Sequence, residues 1–400
     1  MSARVLLLEN VHDTAVEILE GAGLRVERVA TGLREDELIA RLAGVQMLGI
    51  RSKTQVTANV LKSAKDLISV GCFCIGTNQV DLRAAAMQGI PVFNAPFSNT
   101  RSVAEMILAE IVILARQIGD RSREVHEGKW RKVSRGCFEV RGKTLGIIGY
   151  GHIGTQVGIL AEAFGMRVLY FDVAQKLPLG NSRPIGTLED VLAESDFVTL
   201  HVPETPLTKN LMGAKEISRM KPGSYLLNAS RGQVVDLLAL SEALKSGRLS
   251  GAAVDVYPEE PEGNSDAFGT ELRGLSNVLL TPHIGGSTEE AQASIGKEVG
   301  LSLERFIREG TTTSSVNFPQ VEMPLAKGSH RIINVHRNVP GVLRDINRIV
   351  SDSQANIKAQ MLSTDSDIGY LVMDMEQAVA EQVSVEIGAL KTNIRTRYLA

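Results

Sequence analysis

The chain has 400 residues, with 43 basic and 46 acidic side chains (formal net charge −3), 44% hydrophobic and 22% charged residues. That length exceeds one compact core and points to two or three domains. The nearly cancelled charge, with no basic stripe interleaved with aromatics, argues against a nucleic-acid partner. The absence of a long apolar run argues against a membrane span.

The N-terminal stretch looks like a strand. Its apolar run is too short and too soon charged for a signal peptide, so a cytoplasmic location is expected. The first part alternates strands and amphipathic helices. Strands are expected at Arg4–Asn10, Leu24–Val29, Met47–Arg51, Leu67–Phe73 and Pro91–Asn94, with helices such as Ala15–Ala22 and Glu35–Leu42 between them. This alternation predicts a parallel sheet with right-handed crossovers. The three cysteines, Cys72, Cys74 and Cys137, are too few for a disulfide framework. Cys72 and Cys74 lack the second pair or nearby His that zinc needs, so buried thiols on a strand are expected and no metal site. Ser98–Ser102 supplies capping residues for a helix from Val103 to about Gln117, which crosses into a second domain. Trp130, the only tryptophan, lies among charges; a partly exposed subunit anchor and a packed structural residue both fit.

Thr144 to Gly154 is the most informative stretch. An apolar run leads into Gly149-x-Gly151-x-x-Gly154, then a helix-like segment, then a second apolar run, Met166–Phe171, that stops on Asp172. This is the order of a dinucleotide-binding βαβ unit. Gly149 permits the tight turn, Gly151 lets a pyrophosphate approach the backbone, and Gly154 lets helix lie close to strand. The helix N-terminus offers N–H groups and partial positive charge to phosphates. Asp172 is placed to take both ribose hydroxyls and to repel a 2′-phosphate, so NAD is expected over NADP.

Further strands follow at Phe197–His201, Ser224–Asn228, Gly251–Val256 and Val278–Leu280. Three motifs close strands of this domain: Asn228–Gly232, Asp255–Pro261 and Thr281–Ser287. Hydride transfer between a nicotinamide and a 2-hydroxy acid needs a base, a cation and an orienting group. His283 suits the base, with an unperturbed pKa of ~6.5. Arg231 suits the cation, because its planar fork grips a carboxylate. Glu260 suits the orienting role, stabilising the imidazolium and setting its tautomer. His152, inside the glycine loop, is expected to face the cofactor, and His201 to be structural. Two α/β domains joined by two crossings predict a hinged cleft at strand C-termini.

A helical pattern from Thr288 to about Arg308, ended by Gly310, returns the chain to the first domain. A linker without periodicity follows. The last part reads β-α-β-β-α-β: strands Arg331–Val335, Asn356–Leu362, Tyr370–Met375 and Thr396–Leu399, helices Gly341–Ser351 and about Ala378–Leu390. That is a ferredoxin-like domain with no acid–base pair, which suits regulation or assembly. The expected fold class is α/β: two doubly wound parallel-sheet domains, substrate-binding and Rossmann NAD-binding, plus a C-terminal ferredoxin-like domain. The expected division is 1–98 with 286–316, 99–285, a linker 317–328, and 329–400.

Beyond the three motifs and the fingerprint, Gly71–Asp81 and Asn94–Glu105 complete a pattern covering nearly the whole chain. The sequence resembles the D-isomer-specific 2-hydroxyacid dehydrogenase family, in its bacterial three-domain type that ends in an ACT domain. The resemblance implies NAD-dependent oxidation of 3-phospho-D-glycerate to 3-phosphohydroxypyruvate, the first step of L-serine synthesis. A side reduction of 2-oxoglutarate to 2-hydroxyglutarate is also expected. It implies Arg231, Glu260 and His283 as the catalytic residues. It implies NAD contacts from Gly149, Gly151, His152, Ile153, Gly154, Asp172, Ala229, Ser230, Arg231, Asp255, His283, Ile284, Gly285 and Gly286. Arg51 and Lys53, with Arg231, match the substrate-binding positions; Lys53 stands where the family often has Arg, giving a point charge without the bidentate grip. In the ACT-like domain the Asn338–Leu343 turn implies feedback inhibition by L-serine, with His336, Asn338 and Asn356 at effector-contact positions. Arg337 and Val339 depart from the acidic and basic residues of that pattern. A homotetramer is implied. Two alternatives remain: another D-2-hydroxyacid dehydrogenase such as a glyoxylate or hydroxypyruvate reductase, and a non-catalytic NAD-sensing protein of the corepressor kind.

Overall fold

The computed structural model describes residues 3–261, 266–325 and 328–399. Contacts divide the chain into two units, 1–98 with 292–400, and 99–291.

The first unit begins with five parallel strands: β1 (Arg4–Leu7), β2 (Arg25–Arg28), β3 (Met47–Ile50), β4 (Ser69–Cys72) and β5 (Val92–Asn94), in the order β2-β1-β3-β4-β5. Helices α1 (Asp13–Gly21), α2 (Glu35–Arg41), α3 (Ala58–Ser63) and α4 (Leu82–Ala86) make the crossovers. Two of these helix starts, α3 and α4, are capped by side chains: Thr57 accepts from Val60 N and Asp81 from Ala84 N. β1 stops short of the expected Asn10 because Glu9 and Asn10 turn into left-handed backbone (φ 63° and 52°). β4 likewise ends at Cys72. Cys72 is buried as expected, whereas Cys74 lies beyond the strand, half-buried, with its thiol directed at the Gly76 carbonyl (3.1 Å).

The second unit opens with α5 (Thr100–Arg116) and α6 (Ile118–His126), which meet at left-handed Gln117 (φ 52°). Then come β6 (Thr144–Ile148), α7 (His152–Ala163), β7 (Arg167–Phe171), β8 (Arg183–Pro184), α8 (Leu188–Glu194), β9 (Phe197–Leu200), α9 (Ala214–Arg219), β10 (Ser224–Asn228), α10 (Leu237–Lys245), β11 (Leu249–Val254) and β12 (Val278–Leu280). All seven strands are parallel, in the order β12-β11-β10-β9-β6-β7-β8. The direction of winding reverses between β6 and β9, so this is the point where a doubly wound sheet opens a crevice at its carboxyl ends. One core layer packs α5 and α7 on the sheet through Ile107, Ile111, Val157 and Val168; the other packs α10 through Leu240 and Val254. Trp130 is 84% exposed, which excludes the packed structural role.

Helix α11 (Glu289–Glu309) then places Ile295, Val299, Leu303 and Phe306 in the core of the first unit. The chain continues with β13 (His330–Arg337), α12 (Val342–Asp352), β14 (Ile357–Thr364), β15 (Ile368–Met375), α13 (Gln377–Gly388) and β16 (Asn393–Leu399), an antiparallel sheet of order β14-β15-β13-β16. One face of this sheet is covered by α12 and α13 through Ile346, Val350, Val383 and Ile387. The other is covered by Phe318, Val321 and Met323. The stretch expected as a bare linker therefore contributes core side chains, although its residues 326 and 327 lie outside the described residues. Beneath it Arg331 is fully buried. Its guanidinium grips Asp374 bidentately (2.6 and 2.8 Å) and donates to the carbonyls of Glu309, Met323 and Pro324, so every part of the fork is satisfied. Tyr370 adds a hydroxyl bond to the Gly310 carbonyl (2.6 Å).

Candidate active site

The glycine loop sits at the reversal point of the seven-stranded sheet. Gly149 has φ 91°, and a Cβ there would overlap the His201 carbonyl at the end of β9. Gly154 is equally confined: a Cβ would overlap the Gly149 carbonyl, so helix and loop touch only because both lack side chains. Gly151 differs. Nothing lies within 4 Å of the Cβ it lacks, so no protein packing requires glycine there, and the space left is the kind a pyrophosphate needs. The first backbone bond of α7 runs from Thr155 N to the Gly151 carbonyl (2.9 Å), so the N–H groups before it lie outside the helix ladder. Asp172, one residue past β7, accepts from Tyr150 N (2.8 Å) and Ala174 N (2.9 Å). It ties the loop to the next strand with one oxygen each, and keeps further lone pairs. His152 is exposed as the first residue of α7, while Ile153 packs partly on the core. His201 bonds Thr199 Oγ1 through Nε2 (3.0 Å), and burial pushes its pKa down to about 3, so it stays neutral.

The three downstream motifs end β10, β11 and β12, and the sheet brings them together. A cavity of about 250 Å³ is lined by Arg231, Glu260, His283, Glu204, Gln233 and Tyr257, among others. Asp255 organises it. The residue is 1% exposed, and its carboxylate accepts from Thr281 Oγ1 (2.6 Å), Ile284 N (2.8 Å) and Gly285 N (2.9 Å). Its carbonyl accepts from His283 N (2.8 Å), and this grip holds His283 in left-handed backbone, φ 55°. His283 Nδ1 lies 2.8 Å from Glu260 Oε2, and Glu260 Oε1 accepts from Tyr257 N (3.2 Å). Burial works to raise the Glu260 pKa, but the hydrogen bond and charge of His283 outweigh it and hold the carboxyl below its ordinary value. The Glu260 hydrogen bond in turn raises His283 above the usual imidazole value, against burial and the Arg231 charge. An ionised carboxylate can only accept, so Nδ1 carries a proton and Nε2 is left for a substrate. Arg231 donates to the Ser230 carbonyl (2.7 Å), and Ser230, Ala229 and Asn228 form a tight turn closed by Ser230 Oγ to Asn228 Oδ1 (2.8 Å).

Sequence reasoning missed Glu204 and Gln233 on this wall, because neither belongs to a motif. It also missed Glu110 of α5, buried (5% exposed), whose carboxyl is pushed up to about 8 by burial and then by the Asp255 charge.

In the first unit Arg51 and Lys53 follow β3. Glu9 accepts from Lys53 N (3.0 Å) and Thr54 N (2.8 Å), which shapes their turn. Neither cationic side chain has a hydrogen-bond or ion-pair partner among the described residues. Of the effector positions, Asn338 and Asn356 are exposed, Asn338 donating to the Asp365 carbonyl (2.5 Å). His336 is 3% exposed, its Nδ1 paired with Asn334 Oδ1 (2.9 Å) and its ring packed on Gly369.

Comparison with known proteins decides the family. The family model for the D-isomer specific 2-hydroxyacid dehydrogenase NAD binding domain matches residues 108–285. D-3-phosphoglycerate dehydrogenase of Dictyostelium discoideum is 53% identical over 396 residues, covering 99% of this chain and 97% of that protein. This chain belongs to the D-3-phosphoglycerate dehydrogenases, within the D-isomer-specific 2-hydroxyacid dehydrogenase family. The Escherichia coli strain K12 D-3-phosphoglycerate dehydrogenase is 52% identical over the same share of each chain. A second family model, for the AHAS small subunit-like ACT domain, matches residues 332–395 and identifies the antiparallel C-terminal sheet. Among solved structures, D-lactate dehydrogenase from Aquifex aeolicus complexed with NAD and lactic acid aligns with TM-score 0.69 and 29% identity, over 79% of this chain and 100% of that one. The TT0316 protein from Thermus thermophilus gives TM-score 0.71 and 33% identity, over 78% and 99%. This chain thus carries its NAD-binding unit on the seven-stranded sheet, with the glycine loop and the His283–Glu260 pair on the same carboxyl edge.

Proposed function

We propose that this chain oxidises 3-phospho-D-glycerate to 3-phosphohydroxypyruvate with NAD, the first step of L-serine synthesis, and runs the reverse reduction. The 2.8 Å contact between His283 and an ionised Glu260, on the cavity that Arg231 also lines, carries this reading. Gly149, Gly151, His152, Ile153 and Gly154 would hold the pyrophosphate, Asp172 the ribose, and Ala229, Ser230, Asp255, Ile284, Gly285 and Gly286 the nicotinamide half. NAD when bound supplies the acceptor for the hydride on the substrate's carbinol carbon. His283 Nε2 takes the hydroxyl proton as that hydride leaves, and returns it in the reverse direction. Glu260 stabilises the imidazolium that forms and fixes the ring's orientation. Arg231 holds the carboxylate and polarises the developing carbonyl. Arg51 and Lys53 receive the phosphate. The ACT domain is the seat of feedback inhibition by L-serine at His336, Asn338 and Asn356, in a homotetrameric, cytoplasmic enzyme with a side reduction of 2-oxoglutarate to 2-hydroxyglutarate.

The test is NADH absorbance with 3-phosphohydroxypyruvate, with and without L-serine. Turnover that serine suppresses is expected. Turnover on glyoxylate or hydroxypyruvate alone would favour another D-2-hydroxyacid dehydrogenase. Bound NADH with no turnover would favour a sensor.

A further inference from the structure

Within the first unit a cavity of about 290 Å³ lies where the C-terminal sheet meets the helices of the N-terminal sheet, and the dehydrogenase reading makes no use of it. Lys65 after α3, Arg337 at the end of β13 and Arg395 on β16 line it, together with Met87, Gln88 and Asn393. Among the described residues no acidic side chain lines it. Lys65 and Arg337 are exposed, and neither side chain has a hydrogen-bond or ion-pair partner among the described residues. Arg395 is partly buried. Its guanidinium makes one hydrogen bond, to the Leu67 carbonyl (2.5 Å). Desolvation lowers its pKa, opposed by the charge of Asp66, whose carboxylate accepts from Gly44 N (3.1 Å). Asn393 is already engaged: its amide nitrogen donates to the Gly388 carbonyl (2.9 Å) and its oxygen accepts from Asn334 and Thr396 (2.9 Å each). Gln88 is engaged as well, its amide facing the Leu61 carbonyl and Lys62 N, so among the described residues the side-chain donors with capacity left on this wall are those of the three cations.

Like charges gathered around a concave space raise the local concentration of anions. A partly desolvated guanidinium with no carboxylate of its own gains most from one, and Arg and Lys together suit phosphate and carboxylate oxygens. The volume is at the small end of ligand pockets, roughly 300 Å³ and upward. We propose that this cavity binds a small oxyanion with two or more negative charges, a phosphate ester or a polycarboxylate. Lys65 would hold it from one layer, and Arg337 and Arg395 from the other. Such an anion would bridge the ACT sheet to the helices beneath it. The proposal stands apart from the dehydrogenase reading.

The experiment uses the full-length chain with Arg51→Gln and Lys53→Gln, so that the residues proposed to read substrate phosphate do not contribute. Inorganic phosphate and citrate are titrated separately by calorimetry, with ionic strength held constant by chloride. One site per chain is expected for at least one of them. Binding of phosphate alone assigns phosphate esters; binding of citrate alone assigns polycarboxylates. Adding Lys65→Gln and Arg337→Gln should weaken that binding at least roughly tenfold, with an unchanged thermal midpoint in chloride, since both side chains are exposed. Lys65→Glu should weaken it further. Equal binding in the variants, or no binding of either anion, would overturn the proposal.

Discussion

Gly232 lies against the backbone of Tyr257 so closely that a Cβ would overlap the Tyr257 carbonyl and the Pro258 nitrogen. The loop that ends β10 thereby rests on the loop that ends β11, and Arg231 shares a cavity with Glu260 and His283. Gly232→Ala should push these loops apart. A loss of about 10²-fold in kcat/KM is expected from misplacing the cation, with about 1–3 kcal/mol of stability lost to overpacking. Steady-state kinetics and thermal unfolding check both, and unchanged kinetics would show that the contact does not position Arg231.

Glu260 raises the pKa of His283 through their hydrogen bond. Oxidation needs the neutral imidazole. Glu260→Gln removes the raising influence, so His283 should lose its proton at lower pH and the acid limb of kcat/KM should move down. Turnover itself should fall by roughly 10²–10⁴ as the imidazolium loses its partner. A pH profile of the variant checks the sign; an upward shift would contradict the assigned pairing.

Glu110 has a folded-state pKa of about 8, against ~4.3 for an unfolded glutamate. Between these values the folded chain keeps a proton that the unfolded chain releases. Stability should therefore fall as pH rises through that window and level off above it. Glu110→Gln should flatten this slope and add on the order of 1–4 kcal/mol at pH 8. Urea unfolding at the two ends of the window measures it, and parallel curves for both proteins would refute it.

Asp374 neutralises the fully buried Arg331. Asp374→Ala leaves a guanidinium with only carbonyl partners, which should cost roughly 3–5 kcal/mol. The loss should concentrate in the C-terminal sheet, so amide exchange at Ile332–Val335 should accelerate while turnover without serine persists. Exchange unchanged from wild type would mean that the carbonyls suffice.

Strand periodicity and the glycine spacing made the sheets readable, because both patterns are local in the chain. The three motifs at strand ends were legible for the same reason: Asn228, Asp255 and Thr281 each follow or close a run of apolar residues. Strand ends were less legible where the backbone turned over one or two residues, as at Glu9 and Asn10. The short helices α8, α9 and α10 lack the long amphipathic pattern that reveals α11.

By itself the sequence determined the order of elements, the dinucleotide loop and which side chains have chemistry suited to hydride transfer. Only the tertiary structure decided their company. Asp255 grips a loop about 30 residues further on, Glu110 is buried within reach of its charge, and Arg331 draws carbonyls from two separate stretches. Lys65 and Arg395, separated by most of the chain, line one cavity. Such neighbours are set by crossovers and by burial, which act between residues far apart in the chain, whereas propensity and periodicity act over a few positions.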